Sequence, residues 1–426
     1  MKYLTHSLIS LTLLSGCQTS RMMQRDETLR SISFIDRNGM AETVSNKERL
    51  KQYKNTNFSD PQSYQKILRI YDRDKSGNIK AKMTSYYENG QPKQYLEIVN
   101  SRAYGPYIEW HDNGQIKLQV CVIGGEPDLN TQAEETWLFE GHAIVWDREG
   151  RQTADFNYEK GKLNGISSEF HINGNLWKRT PFKGNRPHGT EEIFLDNGDL
   201  LLFVNYENGS RHGTSKRFWD SGELASEECF NYGRLEFGRY FDKQGHLVAQ
   251  INDGEGFRAT FSRSHISEIH QFKNGIPEGE VKVFGSDRKI FRTYYVKNEA
   301  KHGVEIEYYE QPHLRDQPKM SVTWYEGKIQ GIAKTWYENG VQESNREMSR
   351  NAKNGLSTAW YMDGSLMLIE EYEFDKLLRG DYYRKGDKQP VSQVRDGKGT
   401  ATLYDPEGNF LQKVNYQFGE PAPQAS

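Results

Sequence analysis

Thirteen glycines recur from Gly105 to Gly399, most of them 23 to 25 residues apart, and eleven are followed five residues later by an aromatic side chain. Gly165, Gly189 and Gly213 with Phe170, Phe194 and Phe218 show the unit in its regular form. Four residues beyond the aromatic a second glycine usually follows, as at Gly114, Gly174, Gly198 and Gly340. A constraint of this kind fixes the fold class before any local motif is weighed, because a fixed period marks stacked copies of one supersecondary unit.

Each unit reads as a β-hairpin. The NG, DG and DxxG sequences supply the positive φ of tight turns, and the segments between them have only strand length. A lone hairpin cannot bury its aromatic residues, so each must stack on its neighbours. With two strands per unit, about thirteen units of about 24 residues predict an all-β, elongated, single-layer antiparallel sheet on the order of 125 Å long if flat. Composition agrees: the hydrophobic fraction is 35% and the mean hydropathy is -0.88, too little apolar material for a thick core. The 56 basic residues are balanced by 59 acidic ones, which gives no electrostatic footprint for nucleic acid.

The pattern G-x4-[WYF]-[YWH]-x-[ND]-G, followed by a strand and Y-x-[NK]-G-x3-G, resembles the bacterial variant of the MORN repeat over residues 86–419. The resemblance implies an elongated meander of hairpins and, through proteins of the YwqK family, an antitoxin-like role. Two longer gaps interrupt the array: 36 residues after Gly105, carrying 124–135, and 28 after Gly303, carrying 311–318. Insertions in repeat proteins emerge as loops, some used in recognition. Gly238 and Gly380 lack the aromatic five residues on and precede the shortest gaps, 18 and 19 residues.

At the N-terminus, Lys2 and His6 precede a short apolar run, too short to span a bilayer and suited to a signal peptide. Leu14-Ser15-Gly16-Cys17 resembles a bacterial lipobox, which implies lipidation of Cys17 and a durable membrane anchor. Gln18 after the cysteine implies, by the same resemblance, the outer membrane and a periplasm-facing protein. The expected organisation is a signal peptide (1–16), a lipidated tether (17–31), a capping segment with hairpins and a short helix (32–85), the array (86–419) and a disordered tail (420–426).

Several motifs resolve into scaffold. Residues 72–79 match the start of an EF-hand loop, but Met83 stands where the bidentate glutamate is needed, so a hairpin turn is the economical reading. His188, His212 and His302 each precede a repeat glycine and would lie about 10 Å apart on adjacent hairpins, too far to share a metal. Cys121 and Cys229 hold equivalent positions about four repeats apart and are expected not to pair. No GxSxG elbow, HExxH, Walker loop or Rossmann fingerprint is present, so a non-enzymatic chain without cofactor or metal is expected.

Two uses of such a surface follow. One is a lipid-anchored scaffold that binds another protein, as an antitoxin or immunity protein binds a secreted toxin. The other is an envelope protein binding peptidoglycan, glycan or lipid headgroups through its aromatics. Alternation along a strand puts the residue after each packing aromatic on the opposite face. Trp219, Tyr337 and Tyr361 share that position and form the candidate binding face.

Overall fold

The computed structural model describes residues 28–262, 265–311, 313–314 and 316–422. They form an all-β protein of 35 strands, with only short helical turns at Lys47–Leu50, Lys51–Tyr53 and Thr131–Glu134. Two compact units divide between Gly213 and Thr214. Within each, strands pair antiparallel with their sequence neighbours, as a hairpin repeat requires. The order changes at the start, where Leu29–Ile35 lies between Ala41–Val44 and Lys66–Tyr71.

The register explains the period. Gly165 faces Phe182, Gly189 faces Tyr206, Gly303 faces Trp324 and Gly399 faces Tyr416. These glycines leave room for the aromatic that closes the hairpin, while Gly105, Gly238, Gly279, Gly331 and Gly380 face Val122, Ile251, Val296, Met348 and Val394 in the same place. At the other end the aromatic five residues on pairs with the apolar residue two past the turn glycine, as in Phe170 with Leu176 and Trp360 with Leu366. A register shift immediately precedes that aromatic in almost every hairpin, for instance between Thr335 and Trp336. This is a β-bulge, and it adds local twist and re-aims the residues beyond it.

In the first unit the core is a patch on one face of the sheet, including Leu96, Tyr107, Val120 and Val122. Residues 124–135 do not stand out as a free loop. They fold onto this patch, burying Leu129 and Ala133, and Trp137 meets Tyr107 edge-on with ring centroids 4.8 Å apart. Polar contacts fasten the cover, with Lys66 Nζ 2.7 Å from Asp128 and Gln94 Nε2 donating to Glu134 at 2.7 Å. The second insertion also serves the array, since Gln317 Nε2 donates to the Tyr337 carbonyl.

The second unit contains the same module twice. Turns 232–233, 253–254 and 274–275 close on one another: Gly254 N–H donates to Glu236 O, Gly275 N–H to Gly254 O, and Leu235 N–H to Gly275 O. Turns 374–375, 396–397 and 418–419 repeat the ring through Gly397 to Leu378, Gly419 to Gly397 and Leu377 to Gly419. These are the short-gap repeats. Tyr240 and Tyr382, fully buried, replace the missing aromatic and donate to the buried carboxylates of Glu228 (2.8 Å) and Glu370 (2.9 Å). Burial first, and the carboxylate second, push both phenols far above their ordinary range, so they remain donors.

Two sequence boundaries move. Leu29 to Ser31, assigned to the tether, already pair with Lys66–Tyr71, because Ile32 and Phe34 in the same strand anchor the first core cluster. The short helix expected in the capping segment is present at Lys47–Leu50, continued by a 3-10 turn at Lys51–Tyr53. Glu420–Pro421, assigned to the tail, add a short strand to Phe410–Gln417. Residues 72–79 are a hairpin turn in which Asp74 Oδ1 accepts the Ser76 and Asn78 amides. Cys229 is a free thiol, so it is not joined to Cys121. The signal peptide and Cys17 lie outside the described residues.

Candidate functional site

The four-residue turn after each packing aromatic sets the geometry of the candidate residues. Its last residue is normally a glycine with positive φ that donates to the carbonyl of the first, as Gly340 does to Tyr337 and Gly364 to Tyr361. The first residue then leans towards the next hairpin. Tyr337 donates its hydroxyl to the Trp360 carbonyl at 2.8 Å and Tyr361 to the Tyr383 carbonyl at 2.7 Å. Tyr87 does the same to Trp110 and Tyr309 to Trp336. The His111 and His171 rings hydrogen-bond the Trp146 and Phe194 carbonyls. Where the position holds Tyr or His it is therefore a strut between successive repeats; Asp147, Leu195, Gly285 and Asp405 stand there in other units.

This corrects the binding face expected from alternation. Trp219, Tyr337 and Tyr361 are 3%, 8% and 0% exposed, so none offers an open surface. The bulge just before the aromatic breaks the two-residue alternation on which that expectation rested. Burial pushes the Tyr337 and Tyr361 hydroxyls up to about 12, so both struts stay protonated through the physiological range.

Of the three candidate residues, Trp219 makes no such bond among the described residues. Its counterpart acceptor would be the Phe241 carbonyl, yet the indole Nε1 is buried with no hydrogen-bond partner among the described residues. The ring instead packs edge-on against Phe261, centroids 5.1 Å apart. Beside it opens a cavity of about 280 Å³ with an apolar lining of Trp219, Val248, Ile266, Ile269 and Phe284. Asp242, Lys243, His265 and Arg288 supply its polar edge.

Three of those four polar groups are engaged. Lys243 Nζ lies 2.8 Å from Asp220 and 5.5 Å from the centre of the Trp219 ring. Asp242 feels some desolvation, but the His246 and Gln244 amides outweigh it and hold its carboxyl below the usual range. His265 Nδ1 is 2.9 Å from Ser262 Oγ. Arg288 is exposed and without an ion-pair partner among the described residues. It occupies the fourth position of the turn 285–288, with φ of 65°, where the other turns of this kind place glycine. The sequence carried that signal, since SDRK stands where the pattern calls for a turn glycine, but the repeat alignment passed over it. Among the described residues, no three His, Cys, Asp or Glu side chains are grouped so as to hold a metal ion.

Residues 79–100 and 211–232 match the MORN repeat variant family. One stretch holds the strut Tyr87 and the other holds Trp219. No curated protein matches the chain. Among solved structures, the chain is similar to the crystal structure of TcdB2-TccC3 without the hypervariable C-terminal region. Identity is 11%, the TM-score is 0.13, and the alignment covers 86% of this chain and 24% of that one.

Proposed function

We propose that this chain is a non-enzymatic, lipid-anchored scaffold that binds another protein at the cell envelope, as an immunity protein neutralising a secreted toxin. The observation that carries the reading is the use of the recurring polar side chains. Tyrosines and histidines that could have formed sites are occupied as struts between hairpins, and two stretches of the array match the MORN repeat variant. A sheet fastened in this way presents a fixed surface and has no moving catalytic part. Cys17 would hold it by lipid to the outer membrane, facing the periplasm.

Two measurements bear on this. Substituting Cys17→Ala should move the protein from the membrane to the soluble fraction, and unchanged fractionation would refute the anchor. Co-expression with a secreted toxin encoded beside its gene should restore growth. Failure to protect, or the absence of such a neighbour, would count against the immunity role.

A further inference from the structure

Two departures from the repeat converge on one place. Among the described residues, Trp219 leaves its buried indole N–H unpaired where Tyr337 and Tyr361 brace the next hairpin, and Arg288 replaces a turn glycine and has no ion-pair partner; both line the same cavity. Each departure works against folding locally. A buried donor without an acceptor is costly, and a bulky residue with positive φ is strained where glycine is free. An unmet buried donor and a strained turn residue that line one cavity motivate a functional reading of it.

The geometry points to a binding site for an arylalkyl carboxylate: an aromatic ring within the cavity, its carboxylate met by Arg288. A cavity of about 280 Å³ exceeds the ~150 Å³ known to admit benzene and leaves space for a short linker. Trp219 and Phe284 give faces against which a ring packs, while Ile266 and Ile269 fill the remainder of the wall. Lys243 is already paired with Asp220, which leaves Arg288 as the cation suited to a planar carboxylate. The group could reach the site as a free aromatic acid or as the C-terminal phenylalanine of a protein; only the second source rests on the scaffold reading.

Isothermal titration of the full chain with 3-phenylpropionate and with N-acetyl-glycyl-phenylalanine, each beside its amide, separates the cases. Both acids should bind, with the amides about 10-fold weaker because a charge-assisted pair is lost. Arg288→Gly should abolish that preference while raising the melting temperature, since glycine restores the turn. Val248→Trp, at a half-exposed position on the cavity wall, should block all four ligands without unfolding the chain. Binding of the free acid alone would keep the cavity assignment and remove it from the protein-binding role. Absence of binding, amides equal to acids, or full binding by Val248→Trp would overturn the site.

Discussion

Alanine at Gly254 or Gly397 is expected to destabilise the second unit by about 2–5 kcal/mol, read as a lowered denaturation midpoint of the full chain. Both glycines have positive φ, 78° and 72°, which alone costs an alanine about 1 kcal/mol. The larger part is steric. A Cβ on Gly254 would stand 2.6 Å from the Gly275 amide nitrogen, and one on Gly397 would stand 2.6 Å from that of Gly419. Those neighbours are backbone within the hydrogen-bonded ring of three turns, so relief requires the ring to open. Gly233 is the control, because its φ is 89° but a Cβ there meets nothing within 4 Å. Gly233→Ala should cost only about 1 kcal/mol. Equal losses at Gly233 and Gly254 would show that the turn ring contributes nothing.

Arg258→Met is expected to cost about 3–5 kcal/mol, because it strands a buried carboxylate. Glu228 is 5% exposed, and Arg258 approaches it through Nε at 2.7 Å and a terminal nitrogen at 3.3 Å. With the arginine gone, Tyr240 alone faces the charge. The double variant Glu228→Gln with Arg258→Met should recover most of the loss, since no uncompensated charge remains. A fully additive double variant would refute the pairing. Glu370, in the second copy of the module, relies on the hydroxyls of Tyr372 and Tyr382, at 3.0 and 2.9 Å. Removing one hydroxyl with Tyr382→Phe should therefore cost less, on the order of 1–3 kcal/mol.

The hairpins were legible because glycine and aromatic recur together, and the register gives a physical reason for many of them: Gly165, Gly189, Gly303 and Gly399 lie opposite a closing aromatic, whereas Gly105, Gly279 and Gly331 lie opposite Val122, Val296 and Met348. The short gaps at Gly238 and Gly380 were visible as irregularities, but the turn rings that explain them were not, since they depend on contacts between turns some twenty residues apart. Residues 124–135 read as a loop by length alone, whereas Leu129 and Ala133 cover a sheet face that the repeat leaves apolar. The tyrosine row was placed on an open face by strict alternation, and the bulge before Trp336 and Trp360 removes that alternation. Trp219 was singled out for sharing the row, yet its distinction is that it fails to make the row's hydrogen bond.

That contrast gives the most direct test of the account, in which the tyrosines hold the scaffold and the departure at Trp219 does the binding. The full-length protein, cross-linked in the cells that make it, should capture the same partner as the unaltered chain when Tyr337→Phe and Tyr361→Phe are combined, at a cost in stability of about 1 kcal/mol per strut. Trp219→Tyr, which offers a hydroxyl to the Phe241 carbonyl and restores the row, should remain folded and lose that partner. Retention of the partner by Trp219→Tyr, or its loss from the folded double phenylalanine variant, would contradict the account.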